Sequence, residues 1–329
     1  MKVSIALATY NGAEYLQDQL DSFVEQHRQP DELIASDDAS TDGTVALLED
    51  FAASAPFAVH IHRNPANMGF IRNFEMALSL CTGDVIFLSD HDDVWFPEKI
   101  ATALAALEDG VGALLFVNDA ELVSEDLTPL GLTTFGQVRA RGWSEREFTQ
   151  GSCFAMRREL LEWALPVPDA YPFHDVWIAD LAWDLEAVLI GDRPLQLFRR
   201  HGTNASPMGL GGQRGKAGRA RELWAGVRED VRPSLSRTAA MIRLRIERLK
   251  AVSDSADTNS GDASDRNRRR RAVRAVGTLE DALNAIEARR AVLGTRRTGR
   301  AVKVLRMLSR GDYARFSGVR SALLDMVRK

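Results

Sequence analysis

Val3-Ser4-Ile5-Ala6-Leu7-Ala8 is a short apolar run that ends in the polar turn Thr9-Tyr10-Asn11-Gly12 and hands over to a helical pattern at Glu14–Glu25. The same unit recurs along the first 120 residues. Strand candidates lie at Leu33–Ser36, Val59–His62, Val85–Leu88 and Ala113–Val117, alternating with helical patterns at Thr44–Ala53, Ile71–Leu80 and Pro97–Leu107. Such alternation predicts an α/β fold with a parallel sheet and crossover helices. Pro97 is expected in the first turn of its helix, where a missing N–H costs nothing. Polar residues follow the strand ends at Thr9–Gly12, Asp37-Asp38-Ala39-Ser40 and Ser89-Asp90-His91-Asp92-Asp93. Ligands of open α/β sheets bind beyond the carboxyl ends of the strands, so three clusters at three such ends define one crevice.

The chain has 329 residues, 45% apolar and 27% charged, which excludes a fibre and a wholly disordered chain. Its apolar runs, such as Val85–Leu88 and Val111–Val117, fall far short of the ~20 residues that span a bilayer. Met1-Lys2-Val3-Ser4-Ile5 reads as strand, with no signal sequence ahead of it, and Cys81 and Cys153 make neither a disulfide framework nor a metal cluster. A cytoplasmic protein is the expectation. The net charge of −4 conceals a division. Residues 1–209 hold 13 Lys/Arg against 33 Asp/Glu, a balance of −20, while residues 210–329 hold 29 against 13, a balance of +16. An acidic part that binds an anionic substrate needs a metal cation or well-placed arginines.

From about 120 to 205 the pattern is mixed, with short runs at Gly151–Met156, Ala187–Ile190 and Leu195–Arg199 and helix candidates at Arg158–Leu165 and Asp175–Asp184. Residues 1–205 read as one catalytic domain and the glycine-rich stretch 206–220 as a mobile loop. Residues 221–329 read as a basic helical region, with patterns at Arg221–Val252, Arg266–Leu293 and Arg300–Met326 and a polar linker at 253–265.

Each candidate site residue has a structural alternative. Asp90 and Asp92 stand at i, i+2 straight after a buried strand. Bunched carboxylates call for a cation, and hard oxygen ligands suit Mg²⁺ or Mn²⁺; a solvated acidic turn is the alternative. Asp38 can accept the imide N–H of a pyrimidine base, while Asp42 or Ser40 caps the helix from Thr44. Asn67-Met68-Gly69 and Arg72 open a helix, or are a turn and a surface arginine. Asp175 is either a helix cap or a general base for an acceptor hydroxyl. Arg199-Arg200-His201-Gly202 ends a strand, and neutral His is a common metal ligand. His60 and His62 receive no role.

Taken together, Ala8–Gly12, Asp37–Thr44, Asn67–Gly69, Ser89–Asp93, Gly151-Ser152, His174-Asp175 and Arg199–Gly202 resemble the motifs of the family 2 glycosyltransferases, in the family's order over residues 1–205. The resemblance implies the GT-A fold, Rossmann-like with a mostly parallel sheet flanked by helices. Ser89–Trp95, His174–Trp177 and His201–Asn204 are most similar to bacterial enzymes of surface-polysaccharide assembly, rhamnosyltransferase-like members in particular. By this resemblance Thr9, Tyr10, Asn11 and Asp38 hold the nucleoside, with Asn67 and Arg72 nearby. Asp90 and Asp92 form the D-x-D motif, Asp92 being the direct metal ligand and His201 lying near the diphosphate and metal. Asp175 is the base. His174 occupies a position where the family often has Glu, and there it contacts the acceptor. The implied activity is inverting transfer from a nucleotide-diphosphate sugar, dTDP-rhamnose or a UDP-sugar, to a hydroxyl of a glycan or lipid-linked acceptor.

Three rivals are weaker. A nicotinamide dehydrogenase needs G-x-G-x-x-G where this chain has Ala8–Gly12. A sugar nucleotidyltransferase is expected to carry a glycine-rich, basic first loop. A nucleic-acid-binding protein accounts for Arg268–Arg271 but leaves the acidic part unexplained, so no nucleic-acid partner is expected. In the tail, Tyr313, Phe316, Val319, Leu323, Met326 and Val327 are spaced as one helix face beside Arg315, Arg320 and Arg328. That face suits either packing, including homo-oligomer formation, or peripheral attachment to an anionic membrane.

Overall fold

The protein is described by a computed structural model covering residues 1–148, 150–202, 230–255, 263–316 and 318–327. Strand β1 (Val3–Thr9) is buried at every position. It pairs in parallel with β2 (Glu32–Asp37) on one side and β4 (Val85–Ser89) on the other, which is why it reads as an unbroken apolar run. β3 (Ala58–Arg63) pairs in parallel with β2 at the sheet edge, and its burial alternates. Helices α1 (Leu16–Val24), α2 (Thr44–Ser54) and α3 (Phe70–Leu80) make the crossovers. Leu16, Leu20 and Phe23 of α1 bury one face in the core with Val3, Ile5, Leu7, Leu33 and Phe87. Thr9 stands opposite Asp37, and Leu7 opposite Ser89, so β1, β2 and β4 end at one edge.

Beyond β4 come β5 (Val94–Trp95), α4 (Lys99–Asp109), β6 (Leu115–Val123), β7 (Pro129–Thr133), α5 (Thr134–Ala140), β8 (Phe154–Arg157), α6 (Arg158–Ala164), α7 (His174–Asp184) and β9 (Val188–Arg199). The sheet order is β3-β2-β1-β4-β8-β6-β9-β5, with β7 paired to β6. This is the α/β architecture expected, but the sheet is mixed: it is parallel from β3 to β4 and again between β6 and β9. β8 runs antiparallel to both β4 and β6, and β5 antiparallel to β9. A run as short as Gly151–Met156 carries no sign of its direction, which tertiary pairing decides.

Other expectations are corrected. Pro97 precedes α4, in a turn closed by Lys99 N–H donating to Phe96 O at 3.0 Å. The runs Ala187–Ile190 and Leu195–Arg199 are one strand, because β9 passes Gly191–Pro194 with register shifts against β6 at Asn118–Glu121. β5, β7 and α5 were not expected, being short and weakly patterned.

The chain divides into Met1–Leu210 and Gly211–Lys329. The second unit contains α8 (Arg232–Ser255), α9 (Ala263–Leu293), α10 (Arg297–Ser309) and α11 (Gly318–Val327). The loop expected at 206–220, the helix start at Arg221, Thr203-Asn204 and Arg328 lie outside the described residues. Of the linker read at 253–265, residues 253–255 belong to α8 and 263–265 to α9.

The stripe from Tyr313 to Val327 is not one helix. Gly311 and Gly318 have φ of +77° and +55°, and a 3₁₀ turn at Asp312–Arg315 separates α10 from α11. Its apolar residues therefore face two ways. Tyr313, Phe316 and Met326 pack with Val292, Val304, Met307 and Ala322. Val319, Leu323 and Val327 are 63%, 55% and 52% exposed. Inside, the buried Asp325 carboxylate accepts from Arg289 Nε at 2.7 Å and Tyr313 OH at 3.0 Å. That pair, charged and hydrogen-bonded on both sides, fixes how α9, the turn and α11 meet.

Candidate active site

At the edge where β1, β2 and β4 end lies a cleft of about 850 Å³. Thr9, Tyr10, Asn11, Asp38, Asn67, Asp90, Asp92, His174, Asp175 and His201 all line it. Of the residues singled out in the sequence, Arg72 does not. Its guanidinium pairs with Glu75 and Asp169 and donates to Val167 O at 3.1 Å, which turns it away from the cleft.

The loops after β1 and β2 lock each other. Thr9 Oγ1 donates to Asp37 Oδ1 at 3.0 Å, Asn11 N–H to Ser40 Oγ at 2.9 Å and Thr41 N–H to Asn11 Oδ1 at 2.9 Å. Asn11 and Ala39 take positive φ, +47° and +60°; Asn tolerates that region, whereas Ala39 is strained there and held by its neighbours. Asp42 accepts from Thr44 N–H at 3.0 Å and so serves the helix start, while Ser40 belongs to the loop network.

Asp38 is buried and already engaged. Its Oδ1 accepts from Asn64 Nδ2 at 2.9 Å and Met68 N–H at 2.8 Å, and its Oδ2 from Gly69 N–H at 2.9 Å. A carboxylate has about four acceptor directions, so room remains for one further donor such as a base imide. Asn73 completes the floor, accepting from Asn64 and donating to Thr9 O at 3.1 Å.

The acidic turn follows β4. One carboxylate oxygen from each of Asp90, Asp92 and Asp93 lies within 4.8 Å of the others. Burial, then the charges of Asp92, Asp93 and Asp175, push the Asp90 carboxyl well above the usual range. Burial, then Asp92, push Asp93 up to about 7. Asp92 is penalised most by burial, yet the hydrogen bond from His201 and the attraction of His91 and His201 together outweigh it and hold this carboxyl low. Three bunched carboxyls that resist ionising together are the electrostatic condition a divalent cation relieves, and the oxygen donors suit Mg²⁺ or Mn²⁺. Asp93 itself is occupied by the protein, accepting from Gln196 Nε2 at 2.8 Å and Arg199 N–H at 3.3 Å. That leaves Asp90 and Asp92 facing the cleft. His201 Nε2 lies 2.7 Å from Asp92 Oδ2. Because Asp92 is the ionised partner, the proton sits on Nε2, so His201 orients Asp92 and offers a cation only Nδ1. Gly12 is required beneath this turn, since a Cβ there would collide with the His91 ring.

On the opposite wall α7 presents His174 and Asp175. Asp175 Oδ1 accepts from Val176 N–H at 2.7 Å and Oδ2 from Gly151 N–H at 3.1 Å, so it serves its own helix start and also a second segment. Burial raises its carboxyl to about 6 against those two N–H groups, a value suited to a base near neutral pH. His174 stacks on Phe74 with centroids 4.1 Å apart, and burial lowers it to about 3, so it is neutral. Phe70 and Phe173, 5.6 Å apart, complete an aromatic wall. That wall and the supports Asn64, Asn73 and Gln196 were not read from the sequence, because nothing in local pattern marks a residue whose partner is distant.

Residues 4–163 match the glycosyl transferase family 2 model. The dTDP-rhamnosyl transferase RfbG of Shigella flexneri is 35% identical over 105 residues, covering 31% of this chain and 36% of that protein. The abequosyltransferase RfbV of Salmonella typhimurium is 34% identical over 103 residues, covering 31% of each. The chain thus spans about a third of the length of these relatives. The fold is similar to that of S. aureus TarS 1-349 in complex with UDP-GlcNAc, with TM-score 0.55 at 14% identity over 99% of this chain and 90% of that one. This likeness places the fold in the GT-A class.

Proposed function

We propose that this chain, which carries a family 2 glycosyltransferase domain over residues 4–163, moves a sugar from a nucleotide-diphosphate donor to a hydroxyl of a glycan or lipid-linked acceptor in surface-polysaccharide assembly, with inversion at the anomeric carbon. The observation that carries this reading is the placement of Asp38, the Asp90–Asp92 pair and Asp175 on the walls of one cleft. dTDP-rhamnose and UDP-sugars are the donors to try first, and RfbG, named for dTDP-rhamnosyl transfer, supports the former.

Thr9, Tyr10 and Asn11 flank the nucleoside, and Asp38 accepts from its base. Asp90 and Asp92 would hold a divalent cation, which when bound would supply positive charge to the leaving diphosphate. Asp175 takes the proton from the attacking hydroxyl. The hydroxyl oxygen bonds to the anomeric carbon on the face away from the diphosphate, which leaves with the bonding pair. His174, neutral, lies beside the incoming acceptor. A thermal-shift series with dTDP, UDP and GDP tests donor binding: one nucleotide with Mn²⁺ should raise Tm in a concentration-dependent way, and excess chelator should remove the rise. No rise with any of them contradicts the reading.

No helix among the described residues is long and apolar enough to cross a membrane. We place the protein in the cytoplasm, with α11 touching the inner leaflet. Support comes from exposed Val319, Leu323 and Val327 recurring every four residues beside Arg320, a pattern that suits an anionic interface. Each basic residue contributes only about 1 kcal/mol there, so binding should fall with salt. Flotation with phosphatidylserine vesicles should carry the full chain, and the triple change Val319→Ser, Leu323→Ser, Val327→Ser should leave it at the bottom of the gradient. Equal flotation of the two removes the membrane contact.

A further inference from the structure

Lys99 opens α4 and is 0% exposed. Its Nζ donates to Ser152 O at 2.7 Å and to Gln196 Oε1, and lies 3.9 Å from the centroid of the Trp95 ring. Both acceptors are neutral oxygens. An ammonium stripped of water in this way is costly, and a similarly long apolar side chain would serve stability as well or better. Its contacts account for a lysine here, together with its charge near the buried Asp93 and Asp90 of the acidic loop.

Gln196, equally buried, donates Nε2 to Asp93 Oδ2 at 2.8 Å and to Ser152 Oγ at 3.0 Å. Lys99 and Gln196 thus clasp Ser152 from two sides. Ser152 is the middle of the 3₁₀ turn Gly151–Cys153, and the first residue of that turn donates its N–H to Asp175 Oδ2. The approach is tight: a Cβ on Gly151 would sit 3.2 Å from Asp175 Cβ and 3.3 Å from His174 Nε2. The connection runs from the acidic loop through Gln196 and Lys99 to the turn, and from the turn to Asp175.

We infer that Lys99 is a positioning residue for the transfer: it holds the Gly151–Cys153 turn so that the Gly151 N–H fixes the Asp175 carboxylate toward the acceptor hydroxyl. The inference rests on the reading of Asp175 as base. Lys99 does not line the cleft, but its charge acts on Asp90 and Asp93, so its effect should appear in turnover and not in nucleotide binding measured without metal.

The test is a cycle of Lys99→Met and Asp175→Asn in the full chain. It reads kcat with the donor found to be used, and the Kd of the matching nucleoside diphosphate without metal. Lys99→Met should lower kcat about 10–10²-fold, the scale typical of a lost supporting partner, with Kd changed less than twofold. In the Asp175→Asn background it should cause no further loss, because the residue it positions is already disabled. Gly151→Ala, which disturbs the turn from the Asp175 side, should show the same split and the same lack of additivity, and it decides the matter if Lys99→Met does not fold. Equal losses in both backgrounds, or donor affinity falling in step with kcat, would overturn the inference alone. A wild-type chain that transfers no sugar would instead overturn the reading of the site.

Discussion

Asp92→Asn should lower transfer by about 10²–10⁴-fold, as the loss of several kcal/mol of charge stabilisation requires. The substitution keeps the size of the side chain and an oxygen that accepts from His201 Nε2, now 2.7 Å away, so the cleft keeps its shape. What goes is the carboxylate charge of Asp92, which faces the cleft beside Asp90. Metal-dependent binding of the nucleoside diphosphate should weaken in the same variant, while any metal-independent binding through Asp38 is unchanged. Calorimetric titration with and without Mn²⁺ separates the two. Full activity of the wild-type chain in excess chelator would remove the role given to Asp92.

Asp175→Asn should reduce turnover by about 10²–10⁴-fold and leave donor affinity nearly intact. The amide oxygen can still accept from Gly151 or Val176, so the start of α7 survives, but the group can no longer take a proton. The wild-type pH profile follows from the same carboxyl. Burial raises it to about 6, and a base must be ionised, so activity should rise through about pH 6 and fall away below it. His174 is held neutral by burial throughout this range and adds no limb of its own. A variant that loses donor affinity in proportion to rate would make Asp175 a structural cap, and an acid-insensitive profile would exclude it as the base.

How far the site could be read from sequence depended on where each residue's partners lie. Thr9, Asp38 and Asp90–Asp92 were legible because each stands directly after a buried strand, and strand ends are visible in the alternation of apolar runs and helices. Arg72 was misplaced because a helix pattern shows which residues share a face but not that Glu75 and Asp169 wait on that face. Asp93 was grouped with its neighbours by adjacency, whereas Gln196 and Arg199, about a hundred residues away, claim it. Lys99 left no mark at all, since a buried lysine and an exposed one occupy the same place in a helical repeat. The parallel half of the sheet was predictable from its crossover helices. The mixed half was not, because β5, β7 and β8 are too short to announce their direction. In the tail, spacing alone merged two differently directed faces, and only Gly311 and Gly318, both at positive φ, separate them.

The central claim is that this cleft displaces a nucleoside diphosphate from an anomeric carbon in a single step with Asp175 as base. Proton NMR of the reaction tests it most directly: dTDP-rhamnose and a set of UDP-sugars are incubated with the full chain and Mn²⁺, and the configuration of the first-formed product is read before it can mutarotate. The account predicts that one donor is consumed and that its product carries the inverted configuration, with signal absent in Asp175→Asn. Consumption with retained configuration, or undiminished consumption by Asp175→Asn, would contradict it.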